Sequence, residues 1–382
     1  MDCGIKPVIF IFSAATGAGH NLAAASLKES LEEKGYDVRI HDAFKETNAA
    51  LNHFVTMGYK QLVEVMPLVY KHLYRQFNKM TPIQQKIFGI TAKIINPELV
   101  PLIEKENPKL IISTHPFITY MLGVLKDLHK INQPILSFVT DYKIHGVYLH
   151  PAVNAYVVGS EYTKQTMIDK GVSPDIVFPY GIPVRSAFNE KGNQCEKDHN
   201  KGTILMMAGS MGTYHMERAF VAIMKANEPL NVIVVCGNNP RIVRDIQFLA
   251  KIYSSPQKNV EVFGFVDNIP ELMDQSDAIV TKPGGLTTTE AMVKAIPMII
   301  PYYYPGQEEE NTDFLVEMGM AVKVDKIKDL THTVDYLIEN KHMIDEMSFN
   351  MTEESKQHSK KKTVELCEEL IEKSKQQNEQ GQ

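Results

Sequence analysis

Short, uninterrupted apolar runs alternate with helix-patterned stretches along most of this chain, and that alternation restricts it to one fold class. Val8–Phe12, Lys109–Ser113, Ile135–Thr140 and Ala155–Val158 read as strands that are apolar on both faces. Only a parallel sheet covered by helices on both sides buries such strands completely. Leu22–Lys34, Phe117–Lys130 and Tyr162–Lys170 carry the helical pattern between them. The polar stretch Ser186–Gly202 then breaks the rhythm and reads as a linker. After it the alternation restarts, with strands expected at Thr203–Ala208, Val232–Cys236, Val260–Phe263, Ala278–Val280 and Met298–Pro301. Helices are expected at His215–Ala226, Arg241–Tyr253, Leu286–Lys294 and Asn311–Met318. The expected architecture is α/β: two doubly wound, Rossmann-like domains over residues 1–185 and 203–355, followed by a helical tail over 356–382.

Composition narrows the function classes. A net charge of −6 over 382 residues argues against a nucleic-acid binder. Cys3, Cys195, Cys236 and Cys367 lie far apart with no C-x-x-C pair, which fits a reducing compartment better than a zinc site or disulfide framework. No basic segment precedes the first apolar run, and no run is long enough to span a bilayer. The expected location is therefore cytoplasmic, with any membrane contact peripheral. One stretch runs against the overall acidity: Leu51–Ile95 holds six Lys/Arg and a single acid, Glu64, among Phe54, Met57, Tyr70, Leu73, Tyr74 and Phe77. It reads either as an insertion with a solvated basic face or as a contact surface for anionic lipid.

Three strand-to-helix turns carry the candidate chemistry. The first, Ser13-Ala-Ala-Thr-Gly17-Ala-Gly19-His20, puts glycines where a ligand could approach the backbone and a histidine in the first helical turn. It matches neither the dinucleotide fingerprint nor the P-loop. The positive end of the helix dipole disfavours imidazolium, so His20 is expected to be neutral and able to accept a proton; the plainer alternative is a capping residue. The second turn, Ala208-Gly209-Ser210-Met211-Gly212-Thr213, is a cradle for an anion such as a diphosphate. The third runs Lys282-Pro-Gly284-Gly285-Leu286-Thr287-Thr-Thr-Glu290, in which Thr287-x-x-Glu290 also fits a capping box. Beyond it, Pro305-Gly306-Gln307-Glu308-Glu309-Glu310-Asn311 reads either as acids complementing the dipole of a helix start or as an amide set beside carboxylates, as sugar hydroxyls require. No Asp-x-Asp pair occurs, so no carboxylate clamp for a divalent metal is evident.

Together these segments resemble the monogalactosyl-diacylglycerol synthase and processive diacylglycerol glucosyltransferase family, which is similar to glycosyltransferase family 28. More distantly they resemble the bacterial transferase that adds N-acetylglucosamine to the lipid-linked peptidoglycan precursor. The resemblance runs from Val8 to Val324 and is most specific over Thr281–Asn311. Val139-Thr140-Asp141-Tyr142 with His145, and Gly181-Ile-Pro-Val-Arg185, match as well.

The resemblance implies the GT-B fold, two Rossmann-like domains facing a central cleft. It also implies an inverting, metal-independent hexosyl transfer from a UDP-sugar, a substrate rather than a cofactor. The implied acceptor is diacylglycerol or a glycosyl-diacylglycerol at an anionic membrane surface. His20 would be the base, with Gly17, Gly19, Asp141 and His145 in the acceptor loops. Gly209, Ser210 and Gly212 would hold the diphosphate, and Phe265 and Val266 would flank the uracil. Glu290 would bind the ribose at the turn Gly284, Gly285, Leu286 and Thr287, and Gln307 and Glu308 would contact the sugar. Two other readings share the architecture: a UDP-sugar 2-epimerase, whose extra carboxylates are not identifiable here, and a non-catalytic UDP-sugar sensor. Where relatives often carry Trp after the T-D-[FY] motif, this chain has Tyr148 and no Trp anywhere.

Overall fold

A computed structural model describes residues 6–14, 18–43, 45, 65–79, 81, 84, 86, 90, 99–190, 201–207 and 213–380. The chain divides into two compact units. The first comprises Met1–Arg185, Tyr304–Gln307 and Gln357–Gln382, and the second Ser186–Tyr303 and Glu308–Lys356.

The first unit is built on β1 (Val8–Ser13), α1 (Ala18–Glu33), β2 (Asp37–Asp42), α2 (Pro67–Phe77), β3 (Leu110–Ser113), α3 (Pro116–Asp127), β4 (Ile135–Phe138), β5 (Ala155–Val157), α4 (Glu161–Ile168) and β6 (Val177–Phe178). Its six strands form one parallel sheet in the order β2-β1-β3-β4-β5-β6. Side chains of β1 alternate between faces, as the pleat demands. Phe10 and Phe12 enter a core with Ile118, Met121, Leu122 and Leu125 of α3. Ile9 and Ile11 enter another with Ala24, Leu27 and Leu31 of α1. Both faces are therefore dry, which is why the strand sequence is apolar throughout.

The second unit repeats the plan through β7 (Gly202–Met207), α5 (Thr213–Met224), β8 (Leu230–Val235), α6 (Pro240–Tyr253), β9 (Lys258–Phe263), α7 (Ile269–Gln275), β10 (Ala278–Val280), α8 (Gly285–Val293), β11 (Met298–Ile300), α9 (Gln307–Glu317), β12 (Ala321–Lys323), α10 (Leu330–Glu339) and α11 (Lys341–Ser355). Its parallel sheet runs β12-β11-β10-β7-β8-β9. One face packs Phe220 and Ile223 of α5, Ile242 and Ile246 of α6, and Val334 and Leu337 of α10 against Ile204, Met206, Val232 and Val234.

The final helix, α12 (Lys360–Gln380), belongs to the first unit. Val364, Leu366, Cys367, Leu370 and Ile371 join the α1 face of the first sheet. Each large side chain so buried contributes roughly 1.5–3 kcal/mol. His358 Nε2 hydrogen-bonds the Gly159 carbonyl at 2.9 Å just ahead of this helix.

Strand order decides where ligands can sit. In doubly wound sheets the crevice opens at the carboxyl ends of the strands, where the order reverses. That point lies between β1 and β3 in the first unit and between β7 and β10 in the second. The three glycine-bearing segments follow β1, β7 and β10 in sequence.

Candidate active site

In the first unit, the ends of three adjacent strands supply one polar cluster. Ser13 closes β1, and its hydroxyl donates to Asn21 Oδ1 at 2.6 Å, fastening the strand end to α1. His20 is the third residue of that helix. Its Nδ1 lies 2.6 Å from the carbonyl oxygen of Thr114, in the turn after β3, and 3.2 Å from Thr140 Oγ1, after β4. A carbonyl can only accept, so Nδ1 carries the proton and Nε2 keeps its lone pair. Burial pushes the ring's pKa down to about 4, against a smaller upward pull from the Thr114 carbonyl. His115 sits edge-on at 4.9 Å, and burial holds it too well below the ordinary histidine range. His20 is thus neutral at physiological pH, with one nitrogen fixed as donor and the other as acceptor.

Asp141 is buried and accepts from Gln307 Nε2 at 2.9 Å. Two positions that the sequence placed in different motifs, an acceptor loop and a sugar contact, therefore meet within the first unit. His145 has both nitrogens engaged: Nε2 donates to the Tyr74 carbonyl at 2.8 Å, and Nδ1 accepts from Val147 N at 3.3 Å. Its ring also packs on Tyr74 at 4.3 Å, so it anchors α2 rather than offering a free proton acceptor. Gly19 lies in the first turn of α1, whereas Gly17 falls outside the described residues.

In the second unit Gly209, Ser210 and Gly212 also fall outside the described residues. The turn after β10 is described. Gly284 is the N-cap of α8, without a side-chain cap, and a Cβ built there would meet nothing within 4 Å. The space over this helix start is open, and first-turn amides at Gly285, Leu286 and Thr287 carry the positive end of the helix dipole. Thr287 is inside the helix, so the capping box that Thr287-x-x-Glu290 suggested does not form; the chain enters the helix one turn earlier, at Gly284. Glu290 is buried farther along α8.

Lys282 pairs closely with Glu308 Oε1, and Asn311 Nδ2 donates to the Pro283 carbonyl at 3.0 Å. These contacts bind the start of α9 to the same turn. After β9, Phe265 projects 64% exposed beside the half-buried Val266. The sequence reading missed Thr114, which acts through a backbone carbonyl and leaves no residue signature. The pairing of Lys282 with Glu308 was equally invisible, because the two lie far apart in sequence.

Of the basic stretch Leu51–Ile95, Phe54 and Met57 lie outside the described residues. Tyr70 is buried and Tyr74 packs on His145, so neither is free for a lipid surface. Among the described residues of this stretch, Leu73 is exposed as expected, together with Val65, Met66, Leu68, Val69 and Ile90, while Phe77 is half-buried.

Residues 20–184 match the family model for monogalactosyldiacylglycerol synthase, and residues 203–367 match the glycosyltransferase family 28 C-terminal domain. A processive diacylglycerol beta-glucosyltransferase from Bacillus cereus is 30% identical over 84% of this chain and 82% of its own length. The chain belongs to the processive diacylglycerol beta-glucosyltransferase family. Another member, from Bacillus pumilus, is 28% identical over 96% of this chain and 95% of its own length. Among solved structures, Acinetobacter baumannii MurG superposes with a TM-score of 0.66 at 16% identity, covering 96% of this chain and all of its own. That likeness establishes the GT-B fold expected from the sequence. Of the two matched models of this processive diacylglycerol beta-glucosyltransferase family member, the first lies within the first unit, and the second covers the second sheet and runs on into α12.

Proposed function

We propose that this chain transfers a hexose, glucose in our reading, from a UDP-sugar to diacylglycerol or a glycosyl-diacylglycerol, inverting the anomeric centre at the cytoplasmic face of the cell membrane. The observation that carries this reading is the fixed, neutral His20 with its Nε2 lone pair available. As the lipid hydroxyl oxygen bonds to C1 of the sugar, its proton passes to Nε2 and the bond from C1 to the diphosphate breaks. UDP departs with the bonding pair. A single displacement converts an α-linked donor into a β-glycoside, and the relatives' names specify a beta product.

On the donor side, the uncapped first turn of α8 offers amides to the growing negative charge. Glu290 takes the ribose hydroxyls, Phe265 and Val266 flank the uracil, and Gln307 and Glu308 contact the sugar. Gly209, Ser210 and Gly212 hold the diphosphate, and Asp141 lines the acceptor side. No step calls for a metal or cofactor.

A lipid with two acyl chains is scarcely soluble, so the enzyme must visit the bilayer. No helix among the described residues is long and apolar enough to cross a membrane. Helix α2 supplies the peripheral contact, with exposed Leu68, Val69 and Leu73 beside Lys71, Arg75 and Lys79. The deciding experiment offers the purified protein UDP-glucose, UDP-galactose and UDP-N-acetylglucosamine separately, each with diacylglycerol in mixed vesicles, and weighs the lipid products. A hexosyl-diacylglycerol formed with release of UDP supports the reading. Its absence with all three donors removes it.

A further inference from the structure

Behind His20, on the side of the nitrogen that does not take the proton, stands a line of hydroxyls. Thr140 Oγ1 is 3.2 Å from His20 Nδ1, and Tyr148 Oη is 3.1 Å from Thr140 Oγ1. Tyr148 Oη in turn lies 3.4 Å from Asp141 Oδ2. Thr140, Asp141 and Tyr148 are all buried, Tyr148 completely. Since an ionised carboxylate only accepts and the ring Nδ1–H only donates, both ends of the line are fixed. Tyr148 then donates to Asp141 and accepts from Thr140, while Thr140 accepts a share of the Nδ1–H that also reaches the Thr114 carbonyl. Every dipole points from the imidazole toward the carboxylate.

Among the described residues, few groups support a charged His20 ring. The ring beside it, His115 at 4.9 Å, is neutral and buried. Among the described residues, the Thr114 carbonyl is the other group at Nδ1. The Asp141 carboxylate is connected to that nitrogen through Thr140, and Tyr148 forms the link. The phenol burial that drives the Tyr148 pKa well above its usual value also keeps its proton in place to donate. A tryptophan at this position could not serve, because an indole N–H donates but cannot accept from Thr140.

We infer that Tyr148 is a positioning residue: its hydroxyl, together with that of Thr140, connects the Asp141 carboxylate to His20 Nδ1 and steadies positive charge on the ring as Nε2 takes the acceptor's proton. No proton travels along the line; the one gained at Nε2 leaves from Nε2. This rests on the reading of His20 as the base. Gln307, hydrogen-bonded to the same Asp141 oxygen, ties a sugar-contact position to the same carboxylate.

The test compares Tyr148→Phe, Thr140→Val, Thr140→Ser and the Tyr148→Phe/Thr140→Val pair by turnover on vesicle-borne lipid, with UDP titrations and His20→Ala alongside. Tyr148→Phe and Thr140→Val should each lower kcat about ten- to a hundredfold, the size of one hydrogen bond to a charged group, with donor KM and UDP affinity unchanged. The double variant should be no slower than the worse single, since both break one line. Thr140→Ser, which keeps the hydroxyl, should recover most of what Thr140→Val loses. Wild-type kcat in Tyr148→Phe, losses that multiply in the double variant, or Thr140→Ser as slow as Thr140→Val would each overturn the inference. If Tyr148→Phe fails to fold, the two Thr140 variants decide alone. Wild-type turnover in His20→Ala would instead remove the base reading itself, whereas an inactive His20→Ala beside an unimpaired Tyr148→Phe removes only the relay.

Discussion

The Thr114 carbonyl oxygen lies 2.6 Å from His20 Nδ1, and that contact decides which ring nitrogen keeps its lone pair. A helix from β1 and a turn from β3 meet there because those two strands are neighbours in the sheet although a hundred residues separate them in the chain. The chemistry proposed for this protein follows from that adjacency.

The first expectation concerns pH. His20 is ordinary in the unfolded chain and shifted down to about 4 in the folded one, so the folded protein resists protonating it. Turnover should therefore stay level as pH falls through 6.5 and decline only toward the neighbourhood of 4. The unfolded chain binds more protons across that window, so stability should fall as pH drops from about 6.5 to about 4, with His145 contributing in the same direction. Initial rates and melting curves over the same buffers check both. An acidic limb centred near 6.5 would mean that the ring is solvated and not held neutral.

Glu290 separates a ligand role from a structural one. Glu290→Ala should weaken UDP binding by roughly 1.5–3 kcal/mol, the range for a hydrogen bond to a charged group. A helix cap would instead cost about 1 kcal/mol of stability, but Gly284 is the N-cap and Thr287 lies within the helix. Titration calorimetry beside a melting curve distinguishes the two. Unchanged UDP affinity with a lower melting temperature would return Glu290 to a purely structural role.

For α2, changing Lys71, Arg75 and Lys79 to Glu should cut sedimentation with phosphatidylglycerol vesicles and cut turnover on vesicle-borne lipid. Each basic residue near an anionic surface contributes about 1 kcal/mol, a share that salt screens. The exposed Leu68, Val69 and Leu73 should leave a residual, salt-insensitive part. UDP binding should be unaffected. A triple variant that sediments like the wild type would reduce the basic stretch to a solvated face.

Much of the fold was legible because the central strands β1, β3, β4 and β5 are buried on both faces and must be apolar. The strands that escaped are β2, β6 and β12. β2 reads DVRIHD and lies at the sheet edge, where one side faces solvent and polar residues are tolerated. β6 and β12 are likewise edge strands, of two and three residues. Gly284 stands at the start of α8 and His20 in the first turn of α1, as their motifs suggested. What sequence could not supply was tertiary: the Thr114 carbonyl, the Lys282 to Glu308 pairing, and the packing of Tyr70 and Tyr74 inside the unit where composition alone suggested a lipid contact. The capping-box signature at Thr287 and Glu290 misled because a helix start depends on where the backbone enters, and glycines upstream let it enter sooner.

The central claim is that His20 removes the acceptor's proton. The measurement that tests it most directly is turnover of His20→Ala on vesicle-borne diacylglycerol, with the UDP dissociation constant determined on the same preparation. The account predicts a loss of about 10²–10⁴ in kcat, the usual contribution of a general base, with UDP affinity within error of the wild type. Wild-type turnover, or a loss explained by weakened UDP binding, would contradict it.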